Sequence, residues 1–488
     1  MTLKPKDMNK EEFIKLGYQF VDWIADYLDN IEDYDVLPNI EPGDIKKEIP
    51  PNPPKGNDNF NNILKDVEDK IAKNLTHWNH PGFMAYFSST SSGPGILAEF
   101  LSAAFNVNGM VWKSAPASVE LEERMIEWLR EFLNISNDFT GIIYDTASVS
   151  TMHAIAAARE SINLEIRKKG MSGRNDLPLL KIYITDQTHS SIEKAALTLG
   201  LGLQSITKVK TNSNFSMNTA ELEKEVKTDL AKGNIPLCVV ATIGTTSSTA
   251  IDPVNEIAEF CNKNNIWLHV DSAYAGVISS IDEYKNIFEG WNKADSIVVN
   301  PHKWLFVPID LSSLFIKKPE ILKRAFNLIP EYLKTEVDEI AVNYMDYGIQ
   351  LGRRFRSLKL WFIFRYYGTE GLREILKHHL QLAKKFEQWI DEHKYFEKMA
   401  EVNFGTICFR ARIKNVDDEN KLELLNKKLM DEVNHTGKIF ITHTKLNGKF
   451  VLRLVLSGIR TEEKHLELAE NILDGQLNKL IKGQALDG

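Results

Sequence analysis

The sequence predicts an α/β protein in which a mostly parallel central sheet is covered by helices. Between about residues 140 and 308, short strands with two apolar faces alternate with helix-like stretches, which is typical of a parallel sheet buried on both sides. The chain of 488 residues is also too long for a single hydrophobic core. From about residue 371, a helical stretch precedes alternating strands, which indicates a separate small α+β domain.

The composition is that of a folded globular protein, since 43% of the residues are hydrophobic and 26% are charged. The 59 lysines and arginines against 67 aspartates and glutamates give a net charge of −8. No broad basic surface is therefore expected for a nucleic acid or an anionic membrane. The partners we expect are a small molecule and a second copy of the chain.

The three cysteines are widely spaced and form no C-x-x-C pair, which argues against a disulfide framework or a metal site. The first residues lack the apolar core of an export signal. No apolar run reaches the ~20 residues that cross a bilayer. We therefore expect a cytoplasmic protein without bound metal and without a membrane anchor.

The first 80 residues form a predicted N-terminal helical segment. Asn9 and Glu12 are spaced as a capping pair, and apolar residues recur at helical spacing from Phe13 to Ile31. A proline-rich connector at residues 49–56 cannot continue the helix. The apolar face of this helix can pack on a second subunit or on the main body of the chain, and we predict packing on the second subunit.

Five segments of the central region are predicted strands. Ligands bind at the carboxyl ends of the strands in such sheets, so the residues that follow each segment are candidates for chemistry. The five segments are GIIY (141–144), LLKIYIT (179–185), PLCVVAT (236–242), IWLHV (266–270) and SIVV (296–299).

The first of these strands runs into DTASVS at 145–150 and then into a helix. Small hydroxyl-bearing residues at such a turn leave backbone N–H groups at the positive end of the helix, which suits a phosphate. A plain Ser or Thr helix cap explains the same residues equally well.

Three further strand ends carry His189, Asp271 and Lys303. A loop histidine is more often simply solvated, an aspartate can cap the next helix, and a lysine stem can pack on Trp304 with its amine in water. Asp271 and Lys303 are one βαβ unit apart, which places both at the same edge of the sheet. An anion site, a ring-stacking histidine, a buried carboxylate and an amine are together what pyridoxal phosphate requires.

With these residues placed, the sequence resembles the aromatic-L-amino-acid decarboxylases, the group II branch of fold-type I pyridoxal phosphate enzymes. The resemblance covers nearly the whole chain, and it implies a large cofactor-binding domain at 81–370 and a small domain at 371–488. The matching segments are THWNHPGFMAYF, SAPASVELEE, DQTHSS, ATIGTT, IWLHVDSAYAG, NPHKWL, PEYLK and LGRRFRSLKLW, in the order and spacing of the family.

The resemblance implies a role for each cofactor residue. Lys303 forms the Schiff base with the cofactor, Asp271 keeps the pyridine nitrogen protonated, and His189 stacks on the ring. Residues that hold the phosphate, and residues that complete the cofactor shell, are implied in the same way. The phosphate residues are Ala147, Ser148 and Asn300, and the shell residues are Thr246, Ala273 and His302.

The implied reaction is decarboxylation of an L-aromatic amino acid (tryptophan, 5-hydroxytryptophan, DOPA, tyrosine or phenylalanine) to an arylalkylamine and CO2. Tyr332, on a charged loop at 329–342, corresponds to the residue that protonates Cα after CO2 leaves. Relatives that release an aldehyde replace this tyrosine, often by Phe, so its presence favours the amine. By the same resemblance, Lys303, His189, Asp271 and His302 are the other catalytic residues.

The implied substrate pocket combines residues from two regions of the chain. Gly352 leaves room for a large ring such as an indole or a catechol. Asn108 and Met110 stand where the family has apolar and aromatic residues that reach the site from the partner subunit. The remaining pocket residues are Trp78, Tyr86, Phe87 and Ser89.

Asp145 and Thr146 depart from the small pair that is usual in the family at this turn. A carboxylate near a phosphate is unfavourable unless a hydrogen bond holds it away. Three alternatives stay open: an aldehyde-forming relative, a decarboxylase of a non-aromatic amino acid and a catalytically silent dimer. An aminotransferase would need an arginine for the α-carboxylate, for which the candidates are Arg353, Arg354 and Arg356.

Overall fold

The computed structural model of the protein describes residues 7–328, 341–414 and 416–484. Its helices are α1 (Lys10–Asp29), α2 (Asp44–Glu48), α3 (Phe60–Asp66), α4 (Gly93–Phe105), α5 (Pro116–Phe132), α6 (Ala147–Ser161), α7 (Ile166–Lys169), α8 (Ser191–Thr198), α9 (Thr219–Ala231), α10 (Val254–Asn264), α11 (Pro301–Trp304), α12 (Pro319–Phe326), α13 (Ser357–Glu392), α14 (Glu419–His435) and α15 (Glu463–Gln484). Its strands are β1 (Thr140–Tyr144), β2 (Leu180–Ile184), β3 (Ile206–Lys208), β4 (Ile235–Thr242), β5 (Trp267–Asp271), β6 (Ser296–Val299), β7 (Ser312–Ile316), β8 (Phe396–Lys398), β9 (Thr406–Ala411), β10 (Thr442–Leu446) and β11 (Lys449–Val455).

A seven-stranded sheet of order β1-β7-β6-β5-β4-β2-β3 forms the centre of the molecule. Strands β3, β2, β4, β5 and β6 are parallel, whereas β7 runs antiparallel to both β6 and β1. The prediction of a mostly parallel α/β sheet is confirmed, and all five predicted strands are present. Strands β3 and β7 were not predicted from the sequence, because a three-residue strand and a strand without a helical crossover carry weak signals.

Successive residues of the strands point to opposite faces of this sheet, and both faces are buried. On one face, Ile143 and Val239 belong to a core that includes residues of α5, α9, α10 and α13. On the other face, Ile142 and Val240 belong to a core that includes residues of α6, α8 and α12. The two-sided burial explains why the strand segments are apolar without alternation.

A second, antiparallel sheet of order β10-β11-β9-β8 follows in the sequence. It shares a core with α14, α15 and the last part of α13. Helix α13 leads from the large sheet to this one and is interrupted at Gly368, whose backbone has φ 65° and ψ 170°. A positive φ is readily adopted only by glycine, so Gly368 permits the change of direction.

Helix α1 begins as the sequence predicts, because the Asn9 side chain accepts a hydrogen bond of 2.9 Å from the Glu12 N–H. No residue of this helix is buried, and Phe13 and Tyr18 are 67% and 69% exposed. The residues that follow α1 pack on the main body, where the Val36 N–H donates to the carbonyl of Gly437 at 2.7 Å. The apolar face of α1 is therefore only partly covered within the described part of the chain, where Phe20 packs on Phe60 and the Tyr27 hydroxyl lies 2.8 Å from His77 Nδ1.

None of the described helices combines the length and apolar character that crossing a membrane requires.

The segment at 344–353 lies along β1 and is held there by buried polar contacts. The Tyr144 hydroxyl donates to the carbonyl of Tyr347. The Arg353 guanidinium donates to the carbonyl of Ile143 at 3.0 Å and forms an ion pair with Glu122. Glu122 also accepts a 3.0 Å hydrogen bond from the Ile143 N–H. Because both charged side chains are almost fully buried, each depends on the other for compensation.

We predict that Arg353→Met lowers the free energy of unfolding by about 3–5 kcal/mol, because the Glu122 carboxylate then stays buried without its cation. Arg354→Met is the matched control, since Arg354 pairs with Glu99 while its side chain is 55% exposed, and it should cost at most about 1 kcal/mol. Chemical denaturation of the two variants measures the difference. Equal losses for the two variants would contradict the importance of the buried pair.

Candidate active site

The predicted chemical residues follow neighbouring strands at one edge of the large sheet. Asp271 is the last residue of β5, and Lys303 lies on α11, directly after β6. Because β5 and β6 are parallel with Asp271 opposite Val298, the two charged residues are brought to the same edge. His189 follows β2, and Thr246 follows β4, which are also parallel neighbours. The edge is the carboxyl end of the parallel strands, where ligands bind in such folds.

A cavity of about 410 Å³ opens at this edge. It is lined by residues that come from the N-terminal region, the large sheet and the small sheet. Six lining residues were predicted from the sequence: Trp78, Tyr86, Phe87, His189, Thr246 and Lys303. Five were not: Ser247, Thr442, His443, Thr444 and Arg453.

Lys303 places its amine against the wall of this cavity. Its Nζ lies 5.0 Å from the centroid of the Phe87 ring, within range of a cation–π attraction. Burial lowers the pKa of this amine to about 8, with a further contribution from the positive charge of Arg453 and against the attraction of Asp271. A substantial fraction of the amine is therefore neutral near pH 8, and only the neutral form can attack a carbonyl carbon.

A stack of aromatic rings supports Lys303. Phe87 and Tyr274 are stacked with centroids 3.8 Å apart, and Tyr274 and Trp304 are stacked at 4.6 Å. The Trp304 Nε1–H donates to His379 Nδ1 at 3.0 Å, which fixes the far end of the stack. Rigid packing of this kind keeps the amine of the adjacent lysine in one place.

His189 lines the cavity, and the buried Asp271 is near enough to His189 for its negative charge to act on that ring. Asp271 is only 6% exposed, and its Oδ1 accepts a hydrogen bond of 3.1 Å from the Ala273 N–H. The Ser191 N–H donates to His189 Nδ1 at 3.2 Å, so the ring proton of a neutral His189 is on Nε2. Burial lowers the pKa of His189, although the negative charge of Asp271 opposes that shift. His189 is thus mainly a neutral ring at neutral pH.

His302 is a second neutral imidazole beside the lysine. Its Nδ1 accepts a hydrogen bond of 3.0 Å from the Leu311 N–H. Burial, together with the charge of Lys303, lowers the pKa of His302 to about 4. The ring therefore carries its proton on Nε2 and adds no charge next to Lys303.

The turn between β1 and α6 holds the residues predicted to bind a phosphate. Ala147 is the first residue of α6, and Ser148 is exposed. The Asp145 carboxylate is held by Thr146 and Gln350, because the Thr146 N–H donates to Oδ1 at 2.6 Å and the Gln350 amide donates to Oδ2 at 3.0 Å. The hydrogen bond that would make a carboxylate tolerable at this turn is therefore present.

The residues at this edge fit pyridoxal phosphate. Asn300 is buried, and its Oδ1 has no hydrogen-bond partner among the described residues. An amine with a lowered pKa, a buried carboxylate, an imidazole ring and a helix N-terminus are the donor set that this cofactor needs for its aldehyde, its ring nitrogen, its ring face and its phosphate. Within the described residues, no cluster of three or more acidic, His or Cys side chains is arranged to bind a metal ion.

Arg453 is the main residue that the sequence analysis missed. It lies on β11, is 5% exposed, and its guanidinium carbon lies 4.7 Å from the Phe87 centroid. It donates to the carbonyls of Tyr86 at 2.8 Å and Ser247 at 3.2 Å, and so joins the small sheet to two walls of the cavity. An arginine inside the otherwise apolar run FVLRLVL is rarely buried without a function, and this signal was available in the sequence.

Tyr86 has a left-handed backbone conformation with φ 49°. Non-glycine residues adopt this conformation at a cost, and they are found most often where surrounding contacts impose it. In this conformation the Tyr86 carbonyl accepts a hydrogen bond from the Arg453 guanidinium. The Tyr86 ring stacks on Trp78 with centroids 5.8 Å apart.

The arginines considered for binding an α-carboxylate are all paired elsewhere. Arg353 pairs with Glu122, Arg354 with Glu99, and Arg356 with Asp310. None of the three lines the cavity. The prediction that these arginines form a structural cluster agrees with these contacts.

Asn108, Met110 and Gly352 come together in a second group that does not line the cavity. The Asn108 side chain accepts from the Arg353 N–H at 2.9 Å, and its amide lies 3.6 Å from the Met110 sulfur. A Cβ added at Gly352 would have the Asn108 amide nitrogen as its nearest neighbour, at 3.9 Å. Ser89 also lies outside the cavity lining, and Tyr332 lies outside the described residues.

The chain is similar to known proteins along almost its whole length. A family model described as the pyridoxal-dependent decarboxylase conserved domain matches residues 42–412. The chain is 39% identical over 496 residues to tyrosine decarboxylase 2 of Arabidopsis thaliana, which covers 99% of this chain and 90% of that protein. It is 38% identical over 490 residues to phenylacetaldehyde synthase of the same plant, which covers 98% of both.

The fold is shared with solved relatives. The crystal structure of Catharanthus roseus tryptophan decarboxylase in complex with L-tryptophan matches with a TM-score of 0.91 at 36% sequence identity, and it covers 98% of this chain and 100% of that chain. Because the family model spans most of the chain and the relatives match along almost its whole length, the chain belongs to the pyridoxal-dependent decarboxylase family.

Proposed function

We propose that the protein decarboxylates L-aromatic amino acids to arylalkylamines and CO2 with pyridoxal phosphate as cofactor. The observation that carries the proposal is the Lys303 amine, with its lowered pKa, in a cavity that also presents the rings of Trp78, Tyr86 and Phe87. Flat aromatic walls favour a flat aromatic side chain on the substrate. The relatives described as tyrosine and tryptophan decarboxylases support the same substrate class.

When bound, pyridoxal phosphate supplies an electron-poor ring that accepts the electron pair left behind by CO2. Lys303 would hold its aldehyde carbon, and Asp271 would keep a proton on its ring nitrogen. His189 would lie against the ring face as a neutral imidazole. Ala147, Ser148 and Asn300 would bind the phosphate, and the surrounding shell would be Thr246, Ala273 and His302.

The residues around the cavity would also exclude water and orient the substrate. Arg453 holds the Tyr86 carbonyl and the Ser247 carbonyl, so it keeps the small sheet closed against the large one. Tyr332 would protonate Cα after CO2 leaves. Buried His302 stays neutral, so the charge next to Lys303 is set by Asp271 and Arg453.

A second candidate is an aldehyde-forming oxidative decarboxylase, because phenylacetaldehyde synthase is a relative at 38% identity. This activity consumes O2 and releases aldehyde, ammonia and hydrogen peroxide along with CO2. Tyr332 favours the amine, since aldehyde-forming members of the family resembled by this sequence replace that tyrosine.

We further propose that the protein is a homodimer in the cytoplasm, with an N-terminal segment at 1–80, a large domain at 81–370 and a small domain at 371–488. The exposed apolar face of α1 supports a partner subunit, as do exposed apolar residues on α4 and a surface groove of about 510 Å³ beside it. The groove is lined by Gly93, Pro94, Leu97, Trp361, Phe362, Arg365 and Tyr366. Three free, buried cysteines are typical of a reducing compartment.

The proposed reaction is tested by the products formed from tryptophan, 5-hydroxytryptophan, tyrosine, DOPA, phenylalanine, histidine and glutamate with added pyridoxal phosphate. We expect an arylalkylamine and CO2 in equal amounts from at least one aromatic substrate, and a loss of at least about a thousandfold in Lys303→Ala. Lys285→Ala, on the exposed surface, is the control and should keep full activity. Peroxide and aldehyde in place of amine would support the second candidate, and full turnover by Lys303→Ala would refute both.

The lowered pKa of Lys303 predicts how fast the apoprotein takes up pyridoxal phosphate at different pH values. The rate constant should rise about tenfold per pH unit and level off near pH 8, because the amine is then neutral. Asp271→Asn should move this midpoint to lower pH, since the carboxylate favours the protonated amine. Stopped-flow absorbance measures the profile, with Nα-acetyl-lysine as the control for the cofactor's own protonation. A profile that keeps rising to pH 10 like that control would contradict the assignment.

The proposed dimer predicts that Gly352 serves the partner's cavity rather than its own. Gly352→Trp and Lys303→Ala should each give an inactive homodimer. A heterodimer of the two variants should recover up to half of the wild-type activity, because one of its sites then combines an intact Lys303 with an intact Gly352. Tandem-tag purification isolates the heterodimer. No recovery in a heterodimer of normal mass would show that Gly352 acts within its own chain.

A further inference from the structure

The Asp145 carboxylate, in the turn that precedes α6, accepts hydrogen bonds with both of its oxygen atoms. Asp145 Oδ1 accepts hydrogen bonds from the Thr146 N–H at 2.6 Å and the Thr146 hydroxyl at 3.2 Å. Its Oδ2 accepts from the Gln350 amide at 3.0 Å. One side chain thus binds the backbone of the turn and a side chain that lies about 200 residues further along the sequence.

Gln350 belongs to the segment that lies along β1 and α6. The Ile349 N–H donates to His153 Nε2 at 3.3 Å, and the added Cβ of a non-glycine residue at Gly348 would stand 2.9 Å from the same ring. Tyr144 and Arg353 hold the two ends of the segment to β1. Because these contacts hold the segment against β1 and α6 independently of Asp145, the Asp145–Gln350 hydrogen bond is not needed to fold the segment.

One end of this bond lies next to the phosphate turn of its own chain, and the other lies next to residues that we propose for the substrate pocket of the partner subunit. Asp145 lies two residues before Ala147, at the turn proposed to bind the phosphate. Gln350 lies two residues before Gly352, in the group with Asn108 that we propose for the substrate pocket. The hydrogen bond is therefore a direct physical link between the turn and the pocket segment.

We propose that Asp145 and Gln350 are a pair of positioning residues that couples occupancy of the phosphate turn to the order of the substrate-pocket segment 341–353. The inference rests on the proposed function, because it takes the ligand of the turn to be the phosphate of pyridoxal phosphate. A bound phosphate would restrain the turn, and Asp145 would pass this restraint to Gln350. Separately from this coupling, the negative charge of Asp145 repels the phosphate and so weakens cofactor binding.

Two variants separate the effect of the Asp145 charge from the effect of the Asp145–Gln350 hydrogen bond. Asp145→Asn removes the charge while its amide can still exchange a hydrogen bond with Gln350, whereas Gln350→Met keeps the charge and removes the bond. Asp282→Asn and Gln388→Met are the matched controls on the exposed surface, and Gln388 likewise donates to a carboxylate, that of Glu392.

Three readouts test the pair. The dissociation constant of pyridoxal phosphate is measured by absorbance titration of the apoprotein. Hydrogen exchange in peptides covering 341–353 is measured with and without the cofactor. KM and kcat are measured on the preferred amino acid, and thermal melting confirms that each variant is folded.

For Asp145→Asn we expect cofactor binding tighter by about three- to tenfold, with a smaller gain at high salt. For Gln350→Met we expect cofactor affinity within about twofold of the wild type. In that variant the cofactor should no longer protect 341–353 from exchange, and KM should rise about tenfold with little change in kcat. Both controls should behave as the wild type.

Unchanged protection and KM in Gln350→Met would overturn the coupling, and unchanged affinity in Asp145→Asn would overturn the electrostatic part. A wild-type protein that shows no visible absorption band with pyridoxal phosphate would instead refute the proposed function itself. The two failures are distinguishable, because the band is recorded before any variant is compared.

Discussion

A lysine amine and an aspartate carboxylate held at the carboxyl edge of one parallel sheet are the constraint on which the site depends. Removing either charge from water is unfavourable unless neighbouring groups compensate. Asp271 receives the Ala273 N–H, and Lys303 has the ring of Phe87 beneath it and the opposing charge of Asp271 nearby. The balance leaves the amine with a pKa of about 8, which suits the nucleophile that we propose Lys303 to be.

The second sheet matters because it supplies one wall of the cavity. Arg453 reaches from β11 to the carbonyls of Tyr86 and Ser247, and the Thr444 hydroxyl donates to the Ser247 hydroxyl at 2.9 Å. The loop that carries Ser247 also carries Thr246, a lining residue of the cavity. These hydrogen bonds therefore link the small sheet directly to the cavity. A change in one is expected to alter the other.

The residues proposed for the site form two separate groups. One set lines the cavity beside Lys303, and another set around Asn108 and Gly352 lies outside it. The apolar residues left exposed on α1 and α4 point to a missing surface of the kind a partner subunit provides. The dimer that we propose, in which each chain completes the other's pocket, would account for both features.

The sequence by itself determined the class of the fold, the five main strands and the strand ends that carry Lys303, Asp271 and His189. These features are local, because strand periodicity, capping pairs and the residue after a strand depend only on residues close together in the sequence. The cap at Asn9 and the strands β1, β2, β4, β5 and β6 were predictable for this reason. Tertiary structure alone decided which distant residues meet: Arg453 with Tyr86, Gln350 with Asp145, and β7 between β1 and β6. Contacts between residues hundreds of positions apart depend on how whole sheets and helices pack. Such packing cannot be predicted from patterns among neighbouring residues.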